Sequence, residues 1–146
     1  MVPKVRREGY LTREQLFTLC QWKSPRRSER AKNNSEIFVR EVTQFALSAT
    51  DERARIESLT LLDAVEFPTA SCILHWFHSE QYPILDFRAL TSLQIRQPKI
   101  YTFKFWRSYV DGWRKLLLDA RKISATVTPR MFDQALWQHD KDRKLR

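Results

Sequence analysis

The sequence predicts an all-α fold, a single domain of about six helices spanning residues 1–146. Three observations lead to this prediction. The 146 residues include only two glycines, which helix interiors disfavour. Apolar residues recur with helical spacing, and no alternating stretch is long enough to predict a sheet. A hydrophobic fraction of 42% with 12% aromatic residues favours a packed core over disorder.

The first half of the chain has three recognisable helix starts. Thr12, followed three residues later by Gln15, predicts a capping box for a short helix that ends before the SPRRSER stretch at 24–30. A second helix begins near Ser35, and Thr50 with Asp51 caps a third. The residues expected on the buried faces of the second and third helices are Ile37, Phe38, Val42, Phe45, Ile56 and Leu59.

Further helices follow in the second half. Pro68 suits the first turn of a helix, because its missing N–H is no loss there. The segment 101–122 is the clearest amphipathic pattern, and Thr128 caps a last helix. The residues of these helices expected to face inward are Ala70, Ile73, Leu74, Phe77, Phe105, Trp106, Tyr109, Val110, Trp113, Leu116, Leu117, Ala120, Phe132 and Leu136, with Trp137 a further candidate.

The charge is positive and uneven. The chain has 26 basic and 17 acidic residues, a net charge of +9. Residues 1–30 carry +5 and residues 96–146 carry +8, whereas the middle is acidic. This distribution fits either a nucleic-acid partner, DNA in preference to RNA, or an ordinary basic surface. The basic ends, 1–9 and 140–146, are expected to be flexible.

No apolar run is long enough to span a membrane, and no apolar segment follows the first charges as in a secretory signal. The sequence therefore predicts a cytoplasmic protein without a membrane partner. Its oligomeric state is left open.

Neither a metal nor a cofactor is expected. Cys72, His75 and His78 are three residues apart on one predicted helix, but the outer two are separated by about 9 Å of helical rise. Zinc ligands at about 2.0 to 2.3 Å from one ion must lie closer together. Cys20, the other cysteine, has no flanking motif that indicates nucleophilic chemistry.

One stretch indicates function. Residues 61–93, LLDAVEFPTASCILHWFHSEQYPILDFRALTSL, read as a helix end, a tight turn, a helix, a loop and an aspartate opening another helix. This stretch resembles the helix-hairpin-helix DNA glycosylase superfamily, the endonuclease III and adenine glycosylase relatives. Leu62, Val65, Thr69 and Ala70 match the family's hairpin pattern, and Leu85 with Asp86 matches its acidic pair. The resemblance covers about a quarter of the chain and implies a glycosylase-like all-α fold.

Three departures from the family pattern limit what the resemblance implies. Ala64 and Glu66 replace the hairpin glycines, which permit the turn and the approach of a phosphate. Glu66 and Asp63 also place negative charge beside that phosphate. Pro68 replaces the lysine that forms a Schiff base in some members, so a bifunctional lyase is excluded if the alignment holds. The cysteines of the family's iron–sulfur cluster are missing.

Asp86 is the candidate catalytic residue that the resemblance implies. A carboxylate at this position stabilises the sugar cation that forms as the glycosidic bond breaks, or activates the attacking water. The alternative is a plain helix N-cap, and Arg88 could pair with Asp86. Tyr82 and Phe87 could line a base pocket, but both are expected in the core.

The predicted nucleic-acid contacts fall into three groups. One is the basic cluster after Trp22, a second is the hairpin together with Arg88, and a third is the basic face of the helix at 101–122. The residues are Lys23, Arg26 and Arg27; Val65, Thr69 and Arg88; and Lys104, Arg107 and Lys115.

Three functional hypotheses stay open. The first is a DNA-binding protein that acts as a monofunctional N-glycosylase through Asp86. The second, favoured by Ala64 and Glu66, is a non-catalytic nucleic-acid-binding or protein-interaction module of the same architecture. The third is a partner site for an acidic protein on the basic face around Arg107 and Lys115. Salt-dependent DNA binding separates the third from the others.

Overall fold

A computed structural model of the chain describes residues 1–144. The chain is 70% helical, and no described residue lies in a strand, so the all-α prediction is confirmed. It divides into two compact units, Met1–Glu80 and Gln81–Arg146, the second described as far as residue 144. The single domain expected from the sequence stays a prediction.

The described part of the first unit consists of five α-helices and one 3-10 helix. In chain order these are α1 (Val2–Glu8), α2 (Arg13–Lys23), the 3-10 helix Pro25–Asn33, α3 (Glu36–Ser48), α4 (Glu52–Leu59) and α5 (Phe67–Phe77). The second helix packs against both the 3-10 helix and α5, while α3 packs against α4. The sequence predicted neither α1 nor the 3-10 helix, which occupies the stretch expected to end α2.

The helix starts of the first unit follow local hydrogen bonds. Thr12 and Gln15 form the predicted capping box, and the Asp51 carboxylate accepts the Ala54 N–H at 2.8 Å. The first helix ends at Gly9, whose φ of +78° places it in the left-handed region that favours glycine. These positions need no long-range contact to define them.

The third helix is rotated from its predicted face. Ile37, Phe38 and Phe45 are exposed, whereas Val39, Val42, Thr43 and Ala46 are buried. The prediction for Val42 is confirmed, and those for Ile37, Phe38 and Phe45 are wrong. The buried set has the predicted helical spacing, but its face is rotated around the helix axis. A polar residue lies on the inner face because the Thr43 hydroxyl is paired: it donates to the Val39 carbonyl at 2.7 Å and accepts the Leu11 N–H at 2.9 Å.

The second unit contains α6 (Phe87–Ser92), α7 (Phe103–Ile123) and α8 (Pro129–Arg143). The sixth and eighth helices pack together. The predicted inner face of α7 is confirmed at its centre, where Trp106, Tyr109, Val110, Trp113 and Leu117 are buried, but Leu116 is exposed. Thr128 caps α8, and the Phe132 ring contacts the Trp113 ring with 5.7 Å between centroids.

Both basic ends carry helical structure within the described residues. Val5 of α1 is fully buried, and Asp140 near the end of α8 is almost fully buried. Flexibility of residues 1–9 and 140–146 stays a prediction, and residues 145 and 146 of the second range lie outside the described residues.

Candidate nucleic-acid interface

The turn between α4 and α5 is the first element of the site. The Val65 N–H donates to the Leu62 carbonyl at 3.1 Å, which closes a four-residue turn. Ala64, the third residue of that turn, has a φ of +73°. A left-handed third position is where turns favour glycine. Ala64 therefore has the backbone conformation of a glycine, at a position where the resembled hairpin has one.

A buried asparagine holds this turn in place. The Asn34 side chain accepts the Asp63 N–H at 2.9 Å and donates to the Asp63 carbonyl at 3.1 Å. It also donates to the Ala31 carbonyl at 2.9 Å. One side chain thus pairs both polar groups of the Asp63 backbone and ties the turn to the end of the 3-10 helix. The sequence analysis did not single out Asn34, because its partner lies 29 positions away.

An open groove of about 220 Å³ lies beside the turn. Arg27 and Arg30 of the 3-10 helix line it together with the turn backbone. Of the basic cluster predicted after Trp22, the structure thus brings Arg27 to the turn, whereas Lys23 and Arg26 do not line the groove. Arg30 was missed, although its position in the SPRRSER stretch was a signal. The complete lining is Arg27, Arg30, Thr60, Leu61, Leu62, Asp63, Ala64, Val65 and Glu66.

The groove contains acidic groups as well. Glu66 precedes α5, and its side chain does not cap that helix. Its carboxylate instead pairs with the Arg27 guanidinium at 2.5 Å, with both side chains largely exposed. An exposed pair of this kind contributes about 0 to 1 kcal/mol. An incoming phosphate therefore competes with Glu66 for Arg27 at a small energetic cost.

The other predicted contacts of the first unit differ in exposure. Arg26 is exposed and Lys23 is half-buried. The side chains of Val65 and Thr69 are buried. These exposures include the backbone, and the Val65 N–H already donates to the Leu62 carbonyl. The prediction that Val65 and Thr69 contact nucleic acid is therefore wrong, because packing of the turn covers both residues.

Asp86 begins α6 in the second unit. Its Oδ1 accepts the Arg88 N–H at 2.8 Å, so the predicted N-cap is confirmed, and the side chain is half-buried. The Arg88 guanidinium, expected beside Asp86, pairs with the Asp140 carboxylate at 3.1 Å instead. The reason is packing, since α8 lies against α6 and brings Asp140 close.

The segment that leads to Asp86 is anchored by a buried carboxyl group. Asp133 accepts the Ile84 N–H and the Trp113 indole N–H, both at 2.9 Å. Mainly through burial, and with a small contribution from the nearby Asp86 charge, the pKa of Asp133 is raised to about 7, although its two hydrogen bonds act in the opposite direction. Burial likewise raises the pKa of Tyr109, whose hydroxyl lies 3.5 Å from the Ile84 carbonyl. Asp133 and Tyr109 thus hold the Ile84 backbone, two residues before Asp86, and Trp113 holds Asp133 in place.

The predicted basic face of α7 lies on the surface. Lys104 and Lys115 are exposed, and Arg107 is half-buried and pairs with Asp111 at 3.1 Å. One expectation nearby is wrong: Tyr82 is buried, but the Phe87 ring is exposed. Phe87 follows the N-cap directly and lies on the outer side of a helix of only six residues.

The two cysteines are buried, and burial raises the pKa of the Cys20 thiol to about 11. A thiol of this kind is a poor nucleophile at neutral pH. Within residues 1–144, no three His, Cys, Asp or Glu side chains are grouped so that they could hold a metal ion.

Comparison of the chain with protein-family models, with curated proteins and with solved structures gives no match. Among the helices of residues 1–144, none combines the length and the apolar character needed to cross a bilayer.

Proposed function

We propose that this chain is a cytoplasmic DNA-binding protein of the helix-hairpin-helix glycosylase type, which holds the DNA backbone at the groove between Arg27, Arg30 and the turn at 62–65. The observation that carries the proposal is the left-handed Ala64 in a turn clamped between two helices. Such a turn lets the backbone approach a phosphate closely. Because the Asp63 and Val65 N–H groups already have partners, the guanidinium groups of Arg27 and Arg30 supply the main contacts to the phosphate.

The charges around the turn support this assignment in part. Arg27 and Arg30 supply two cations at the groove, and the chain as a whole carries +9. Asp63 and Glu66 oppose them. The expected affinity for DNA is therefore moderate and dependent on salt, because phosphate binding releases counterions.

A chemical step is proposed for the second unit, monofunctional base release through Asp86. Pro68 has no amine, so strand cleavage through a Schiff base at that position is not expected. Asp86 is half-buried, and the backbone before it is fixed by Asp133. A positioned carboxylate of this kind can stabilise a developing sugar cation. The Glu66–Arg27 pair favours the alternative, a non-catalytic DNA-binding module.

Backbone binding is tested by titrating a short labelled duplex at several salt concentrations. Arg27→Gln combined with Arg30→Gln should weaken binding and lower the slope of log K against log salt by about two, one per lost phosphate contact. The control is Arg40→Gln with Arg53→Gln, exposed arginines of α3 and α4 that change the net charge equally. Equal losses in the two double variants would refute the groove assignment.

Base release is tested on a panel of damaged and mismatched duplexes. Asp86→Asn should abolish release, because the amide can still cap α6 but carries no negative charge. Asp142→Asn, an exposed carboxylate of α8, is the control and should retain activity. Release by Asp86→Asn at the wild-type rate would contradict the proposed chemistry. DNA binding without release on any duplex would support the non-catalytic module.

A further inference from the structure

Two exposed aromatic rings alternate with three cations on the surface formed by α6 and α8. Phe87 and Trp137 are 46% and 39% exposed. The Arg88 guanidinium lies 5.2 Å from the centre of the Phe87 ring and 5.3 Å from that of Trp137. Lys141 lies 5.1 Å from the Trp137 ring centre, and Lys144 lies 5.6 Å from that of Phe87. We name these five residues the α6–α8 surface.

A buried carboxylate fixes this surface from below. Asp140 is 1% exposed, and its Oδ2 lies 3.1 Å from the Arg88 guanidinium and 3.7 Å from the Lys144 amine. The Ser92 hydroxyl donates to the Leu136 carbonyl and joins the two helices beside it. Arg88 is therefore held between the two rings rather than being free to turn into solvent.

The chemistry of the surface points to a ligand with both anionic and planar aromatic parts. Arg88 and Lys144 share the buried Asp140 carboxylate, and Lys141 adds a third cation. The exposed Asp142 follows Lys141 in the chain, so the surface stays positive. Phosphates of a polynucleotide match these cations. The rings match unpaired bases, since bases stack on aromatic side chains in single-strand-binding proteins.

We propose that the α6–α8 surface binds single-stranded DNA. On binding, Lys141 and Lys144 move from the Trp137 and Phe87 rings to the phosphates, and unpaired bases stack on the ring faces that the lysines leave. In a duplex the base faces are covered by stacking, so the rings would add nothing to its binding. An acidic protein would pair with the lysines, but its carboxylates would not stack on the two rings. The proposal goes beyond the proposed function, because it adds a second surface with a different ligand.

The test measures binding of the full chain to an oligothymidylate of about 12 nucleotides, within the site sizes typical of single-strand binders, and to a blunt duplex. Phe87→Leu combined with Trp137→Leu keeps apolar side chains but removes the ring faces. It should weaken oligothymidylate binding at least about ten-fold and leave duplex binding within about two-fold. Leu118→Ala with Ile123→Ala, exposed apolar residues of α7, is the matched control and should change neither.

A second pair of variants keeps the test valid if the ring variant does not fold, which circular dichroism would reveal. Lys141→Ala with Lys144→Ala changes only exposed side chains. This double variant should bind oligothymidylate more weakly than the wild type, and its affinity should fall less steeply as the salt concentration rises. The control is Lys99→Ala with Lys122→Ala, which removes the same charge elsewhere in the second unit and should weaken oligothymidylate binding less.

The outcomes separate this proposal from the proposed function. Ring-dependent binding of oligothymidylate without any duplex binding would support the α6–α8 surface and refute the groove. If Arg27→Gln with Arg30→Gln abolished binding of both the duplex and the oligothymidylate, the two ligands would share one surface, and the proposal would be overturned. Unchanged oligothymidylate binding in a folded ring variant would overturn it as well. The proposal would also be overturned if the chain bound phosphatidylserine vesicles as tightly as oligothymidylate and this binding needed the two rings. That result would assign the surface to an anionic membrane.

Discussion

Replacing Ala64 by glycine should stabilise the protein. Ala64 has a φ of +73° in the turn closed by Val65 and Leu62. An L residue in the left-handed region costs about 1 to 2 kcal/mol, and glycine removes this cost. Glycine also increases the entropy of the unfolded chain, which costs about 0.4 to 1 kcal/mol. The middle values of these two ranges give a net gain of about 0.8 kcal/mol for Ala64→Gly.

Urea denaturation followed by circular dichroism measures this gain. With an m-value of about 2 kcal/mol per molar urea, the midpoint should rise by about 0.2 to 0.5 M. Gly9→Ala is the matched control of opposite sign, because Gly9 has a φ of +78° and a Cβ added there meets no atom within 4 Å. The variant then introduces only the free-energy cost of an L residue in the left-handed region. The urea midpoint should therefore fall by an amount similar to the rise expected for Ala64→Gly.

The two variants together decide the interpretation. A lower midpoint for Gly9→Ala with an unchanged or lower midpoint for Ala64→Gly would refute the reasoning. It would mean either that Ala64 is not left-handed in solution or that its methyl group contributes packing as large as the backbone cost.

Three further predictions concern the second unit. Gly112→Ala should raise the free energy of unfolding by about 0.5 to 1 kcal/mol in urea melts, because Gly112 lies inside α7 and its added Cβ meets no atom within 4 Å. Trp113→Ala should lower it by about 3 to 5 kcal/mol, since the ring is buried and its N–H pairs with Asp133; an unchanged midpoint would contradict a packed α7 face. Burial raises the pKa of Asp133 from 3.8 to about 7. Between pH 3.8 and about pH 7, the folded state therefore keeps the Asp133 proton that the unfolded state has lost. Stability should therefore fall as pH rises from about 4 to about 7, by at most about 1.4 kcal/mol per pH unit, and Asp133→Asn should flatten that slope in melts across this range.

Local signals in the sequence predicted the parts of the structure that local interactions define. Thr12, Asp51, Asp86 and Thr128 each cap a helix through an acceptor and an N–H two or three residues apart. The buried centre of α7 follows from a period maintained over several turns. The helix starts and the all-α class could therefore be predicted from the residues alone.

Features defined by distant partners could not be predicted in this way. The Asn34 clamp joins positions 29 apart, and the Asp133 carboxylate reaches Ile84 across 49 positions. On the buried face of α3, the Thr43 hydroxyl accepts the N–H of Leu11, 32 positions away. Exposure of Phe87 depends on how α8 covers α6. In each case the residue type fits two roles, and only packing decides between them.

In the turn at 62–65, different residues determine the backbone conformation and the charge near Arg27. The two properties can therefore be changed separately, which allows a last test of the proposed function. Asn34 and the left-handed Ala64 maintain the shape, whereas the Glu66 carboxylate determines how freely Arg27 can meet a phosphate. Glu66→Gln should therefore strengthen duplex binding about three- to ten-fold with little change in stability, because an exposed ion pair contributes little to folding.

Ala64→Gly should do the reverse, raising stability with little change in affinity. The double variant should show both effects, since one acts on the folded backbone and the other on the bound anion. If Glu66→Gln leaves duplex affinity unchanged while Ala64→Gly raises stability as expected, the turn keeps the shape of a hairpin without the phosphate contact. The groove would then be structural, and the DNA-binding proposal would fail at this site.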